Sequence, residues 1–212
     1  SDLMTDWGAR PLSTTSKLFD PLHYNNGAVW PFVTGWVATA QFRYGNPNAG
    51  WQALRAIANT TFDEARGRNP EVISGRVYKP LDTAVPQQFF ATSMILTPLL
   101  RGMMGLEVDA PAGTLTVAPW VPLGVEDLRV DNLTLGDRRV NVHVYSYTAR
   151  EEMVLLLVPG QGVVMKSPLK VRFAPIGGSV VEGVFAPGDK SLRLVSATPR
   201  GWRAALEQMP AR

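Results

Sequence analysis

One carboxylate stands out for its setting. Glu71 lies in Pro70-Glu71-Val72-Ile73-Ser74-Gly75, a loop followed after a short connection by Pro86-Gln87-Gln88-Phe89-Phe90, at the head of an apolar segment that runs to Leu106. A carboxylate held in a loop beside a buried helix has the makings of a general base. Glycoside cleavage with inversion takes two carboxyl groups, an acid for the leaving oxygen and a base for the water on the opposite face, about 6.5–9.5 Å apart. Trp7, Tyr24, Trp30 and Phe89 could stack on sugar faces, and Arg10, Asn26, Lys79, Gln87 and Gln88 could bond hydroxyls. Each has a plainer reading. Glu71 could be a solvated loop carboxylate, Arg10 a helix cap, and Trp30 and Trp36 core residues of an apolar helix. Lys79, Asp82, Asp20 and His23 read as surface, and His143, between Val142 and Val144, as an outward-facing strand residue.

The elements that must position these residues change character along the chain. Up to about Asn26 the prolines Pro11 and Pro21 bias Arg10 and Asp20 away from helix, which predicts a long irregular connection. From Ala28 to Tyr44, Val29, Trp30, Phe32, Val33, Trp36, Val37, Ala40 and Phe42 predict a helix buried on most sides. A second helix over 48–66 carries the stripe Trp51, Leu54, Ala58, Phe62 and Ala65. The third should start at Pro86 and run to Gly102 or Gly105, kinked at Pro98. After Leu106 the period becomes two. Leu128–Val130, Val140–Tyr145, Met153–Val158, Leu169–Phe173, Val180–Phe185 and Leu192–Val195 predict strands, and Thr114–Pro122 a first strand and crossing. The fold expected is α+β: helices of a partial α/α barrel over 1–108, then a C-terminal antiparallel β-sandwich over 109–212.

Composition excludes several classes. The 212 residues are 45% hydrophobic, with a formal charge of +3 and no block of like charge, so no nucleic-acid footprint is present. With no cysteine there is neither a disulfide nor a thiolate site, and the two histidines show no metal-ligand spacing with carboxylates. No cofactor or metal is called for. No apolar run reaches the roughly 20 residues of a membrane span, and the N-terminus lacks the pattern of a signal peptide.

A resemblance joins the separate motifs. Trp7-Gly8-Ala9-Arg10-Pro11-Leu12-Ser13 and Asp20-Pro21-Leu22-His23-Tyr24-Asn25-Asn26-Gly27-Ala28-Val29-Trp30-Pro31 resemble segments of the bacterial amylo-alpha-1,6-glucosidase (glycogen debranching enzyme) family. There, Trp-Gly-x-Arg-x-Leu-Ser precedes Asn-Pro-x-x-Tyr-His-x-Gly-x-Val-Trp-Pro. Pro70-Glu71 through Gly75, Pro86-Gln87-Gln88 and Pro98-Leu99-Leu100-Arg101-Gly102-Met103-Met104-Gly105-Leu106 are similar to that family's later motifs. More distantly, the segment around Glu71 resembles the base-bearing segment of glucoamylases. The chain departs from the family at Asn25 and Gln87, where histidine is usual.

The resemblance implies the C-terminal portion of a six-hairpin glycosidase, with Glu71 as general base in inverting hydrolysis of alpha-glucosidic linkages. Trp7, Arg10, Tyr24, Asn26, Trp30, Gln87 and Gln88 would be its substrate contacts and an oligosaccharide or polysaccharide its partner. The general acid would lie upstream, in a part of the barrel absent from this chain, so the fragment alone should be inactive. It further implies a soluble bacterial protein, with cytoplasm, periplasm and exterior all open. The alternative is a non-catalytic carbohydrate-binding or scaffold module in which Glu71 is structural. A basic surface protein that binds acidic polymers is the remaining possibility.

Overall fold

The structure is a computed structural model that describes residues 2–63, 65–147 and 150–198. It is a mixed α+β chain whose two compact units divide between Met103 and Met104.

The first unit opens with a small hairpin, β1 (Met4–Thr5) against β2 (Gly8–Ala9), pinned to the first helix by the Ala9 N–H, which donates to Thr34 Oγ1 at 2.9 Å. Helices α1 (Pro31–Arg43) and α2 (Pro47–Asn59) both begin on proline, where the fixed φ suits a helix and the missing N–H has no partner to lose. These prolines set the starts three residues after the predicted one at Ala28 and one residue before that at Asn48. Glycines then allow close approach. A Cβ on Gly35 would lie 2.3 Å from Met94 Cβ, so α1 packs tightly on α3 (Phe89–Thr97). Gly50 and Gly102 leave room for the buried Phe42 ring between them. Ala38, Ala53, Leu54, Ile57 and Met94 form the core, with Phe32, Trp51 and Leu99 against it.

The helices depart from expectation in three places. Helix α2 ends at Asn59 and tightens into a 3₁₀ turn, Thr60–Phe62, which swings Phe62 off the buried stripe to 75% exposure. The third helix starts at Phe89 because Gln88 is still extended, and its N–H donates to Asn69 O at 2.9 Å. At Pro98 the break is the expected one: the missing N–H interrupts the regular ladder, and Pro98–Met103 continues as a wider π-helical turn. Nor is α1 buried on most sides, since Trp36 is 51% exposed. Among the described residues there are three α-helices, and the barrel is not seen. Among the described residues no helix is long and apolar enough to cross a membrane.

The second unit contains two four-stranded sheets. One runs β10 (Leu192–Ala197), β7 (Glu152–Pro159), β6 (Arg138–Tyr147), β5 (Asp127–Leu135), all antiparallel. The other runs β3 (Leu106–Asp109), β4 (Thr114–Val117), β8 (Leu169–Phe173), β9 (Val181–Phe185). Alternation buries Val140, Val142 and Val144 of β6 together with Leu115, Val117, Val171 and Phe173 of the second sheet. Two corrections follow. The arrangement is not wholly antiparallel, because β4 and β8 pair parallel: the chain passes through the other sheet between them and re-enters in the same direction. A division after residue 108 would cut β3, whose four residues leave three exposed and so carry no alternating signal. At the entrance to β3, Gly105 has φ +59, and a Cβ there would lie 2.0 Å from Ala118 O.

Candidate active site

Glu71 lies on a stretch built from main-chain bonds. Val29 and Ile73 exchange both of theirs, at 2.7 and 2.9 Å, and the Glu71 N–H donates to Val85 O at 2.9 Å. The Val85 N–H returns a bond to Glu71 Oε2 at 3.2 Å. The loop carboxylate is therefore tied to the strand-like backbone on both its main chain and its side chain. It is 8% exposed.

Two more donors meet Oε1. The Tyr24 hydroxyl lies at 2.6 Å and Gln88 Nε2 at 3.4 Å. Tyr24 is itself fixed by Trp30: the rings meet edge to face at 4.6 Å, and Trp30 Nε1 donates to Tyr24 O at 3.0 Å. Both rings pack on a small buried cluster of Ala28, Val72 and Leu81. Burial pushes the Glu71 carboxyl up, but donation by Tyr24, the Val85 N–H and Gln88 outweighs it, and the group sits below its ordinary value. Tyr24 answers in the opposite sense. Its hydrogen bond to Glu71, burial and the negative charge beside it raise the phenol from 10 to about 12.

All three donors to Glu71 are uncharged, so a carboxylate ionised at neutral pH is stabilised without a counter-ion. An ionised carboxylate has about four lone-pair sites. Oε1 accepts two bonds and Oε2 one, which leaves Oε2 able to take a hydrogen bond from water.

The residues offered as sugar contacts divide into two groups. Tyr24 and Gln88 bond Glu71 and Trp30 packs on Tyr24, whereas Trp7 and Arg10 turn their donors elsewhere. Trp7 Nε1 donates to Ser74 O at 2.9 Å, and Arg10 Nε donates to Gly75 O at 2.6 Å. Asn26 is half-buried in the turn that carries Tyr24, its main-chain oxygen accepting from Asp20 N–H at 3.4 Å. Gln87 is exposed and bonds Arg68 rather than Glu71. Phe89 is 86% exposed, and Lys79 pairs with Asp82 on the surface at 3.9 Å.

Sequence reading missed Asn69. It is wholly buried, donates through Nδ2 to Ile57 O at 2.8 Å and Thr60 Oγ1 at 2.6 Å, and accepts the Gln88 N–H on its main chain. The residue thereby fastens the Glu71 segment to the end of α2. Its place before Pro70 read as an ordinary turn, and no local pattern distinguishes an exposed turn asparagine from a buried one. Among the described residues no group of three or more His, Asp or Glu side chains is arranged to hold a metal ion. No protein-family model matches the sequence, and no curated protein matches it.

Proposed function

We propose that the chain is the C-terminal portion of a glycoside hydrolase of the debranching type, acting with inversion on alpha-glucosidic linkages, in which Glu71 is the general base. The observation that carries this reading is the state of Glu71: held below its ordinary carboxyl value, nearly buried, bonded by Tyr24 and Gln88 at Oε1, and with Oε2 accepting the Val85 N–H. In an inverting reaction a water would be deprotonated by Oε2 as it attacks the anomeric carbon. The glycosidic oxygen would leave with the proton of an acid from the upstream part of the barrel. Trp30 and Tyr24 provide the apolar wall, and the motifs from Asp6 to Leu106 supply the family resemblance.

The test is Glu71→Gln in the intact enzyme, which leaves the volume unchanged and removes the base. General-base assistance is worth about 10²–10⁴-fold, so kcat should fall by that factor. Near-normal turnover would remove the assignment.

A second reading is a carbohydrate-binding or scaffold module in which Glu71 braces the loops, and the engagement of Trp7 and Arg10 with main-chain carbonyls favours its scaffold form. Calorimetry of the chain against malto-oligosaccharides separates the two. Saturable binding without hydrolysis supports the module, and neither binding nor hydrolysis fits a portion of an enzyme.

A further inference from the structure

We infer that Trp7 and Arg10 are positioning residues, a clamp on two successive main-chain carbonyls that sets the register between Tyr24 and Glu71. The two side chains come from one hairpin and grip adjacent peptides: Trp7 Nε1 holds Ser74 O at 2.9 Å, and Arg10 Nε holds Gly75 O at 2.6 Å. The hairpin is a firm base. It is bonded to Thr34 of α1, and Arg10 Nη1 also donates to Asp2 O at 3.0 Å and Met4 O at 3.2 Å.

The gripped peptides stand where the two halves of the Tyr24–Glu71 pair meet. On one side, Ile73 is paired with Val29, two residues beyond Glu71. On the other, the Gly75 N–H donates to Pro21 O at 2.9 Å, and a Cβ on Gly75 would lie 2.0 Å from Gly27 O. Pro21 and Gly27 bracket the turn that carries Tyr24, closed by the Ala28 N–H on His23 O at 3.1 Å. A shift of the Ser74–Gly75 peptides therefore moves that turn against Glu71. A 2.6 Å bond between Tyr24 and Glu71 tolerates little of it. A sugar hydroxyl could recruit Trp7 Nε1 or Arg10 Nε only by breaking these bonds, so a direct contact through those atoms is disfavoured.

This inference uses the reading of Glu71 as base only for its catalytic consequence, since the pair itself is a matter of geometry. The test is the titration of the Glu71 carboxyl carbon by NMR in the whole chain. Tyr24→Phe provides the reference, an upward shift on loss of the hydroxyl donor. Arg10→Ala should reproduce most of that shift, Arg10→Lys less of it, and Trp7→Phe part of it with the ring retained. Arg43→Ala, at the exposed end of α1, should leave Glu71 unmoved whatever it does to stability.

If Arg10→Ala fails to fold, Trp7→Phe and Arg10→Lys carry the comparison. Folded variants in which Glu71 titrates as in the unmodified chain would overturn the clamp, as would a Tyr24→Phe chain with no shift. In the intact enzyme the clamp variants should lower kcat with KM nearly constant, whereas direct sugar contacts would raise KM. A carboxyl that shifts as described in an enzyme indifferent to Glu71→Gln would remove the catalytic reading and leave the clamp in place.

Discussion

The helical unit and the sheet unit bury apolar side chains by different means. In the sheet unit, side-chain alternation decides the matter: Val140, Val142 and Val144 face in, and Asn141 and His143 between them face out. In the helical unit, Trp36, Phe62, Phe89 and Leu96 are large, apolar and exposed, while the buried positions of α1 include Thr34, Gly35 and Thr39. Burial there follows close approach between helices and bonds between loops. A strand shows its inner face in its own sequence, but a helix that is apolar all round does not say which side its neighbours occupy.

The largest expected effect in this contrast is at Phe173. It is fully buried on β8, and truncation to alanine should cost about 3–5 kcal/mol in denaturant unfolding of the sheet unit. A loss under 1 kcal/mol would show a looser sheet core than the alternation implies.

Next comes Tyr24→Phe, which removes a hydrogen bond to a charged group worth about 1.5–3 kcal/mol. Tyr24 is half-buried, so the lower end is expected. The same change alters the pH dependence at both extremes. With its native carboxyl lowered, Glu71 contributes stability that is present above its ordinary value of 4.5 and lost as pH falls. With its phenol raised, Tyr24 contributes stability that is present below pH 10 and lost as pH climbs toward 12. Phenylalanine should remove the Tyr24 share of the alkaline loss, leaving that of Tyr78, whose phenol is also raised, and shrink the acid one. Stability curves of identical shape in the two proteins would contradict the coupling.

The smallest effect belongs to Phe89→Ser. Although it is a phenylalanine at the start of an apolar helix, its ring is exposed, and melting should move by no more than about 0.5 kcal/mol. A cost comparable to that at Phe173 would mean that the ring is covered in solution, and would erase the contrast between the units.

Legibility followed the same division. Most strands from Leu128 onward were placed closely, because period two needs only local sequence, although β5 runs on to Leu135, five residues past its predicted end. The short β3 and the parallel pairing of β4 with β8 were not, since pairing direction depends on where distant strands lie. At the site, motif order named Glu71, Tyr24, Trp30 and Gln88 among the candidates but did not say which of them meet. Residue type did not reveal that Trp7 and Arg10 reach carbonyls, that Gln87 turns to Arg68, or that Asn69 is buried.

By itself the sequence determined the change from helical to strand pattern near Leu106 and singled out the candidate carboxylate, because these are properties of short windows. Tertiary structure decided how that carboxylate is held. The Tyr24–Glu71 bond spans 47 positions and the Arg10–Gly75 bond 65, and no local propensity encodes a hydrogen bond between loops so far apart.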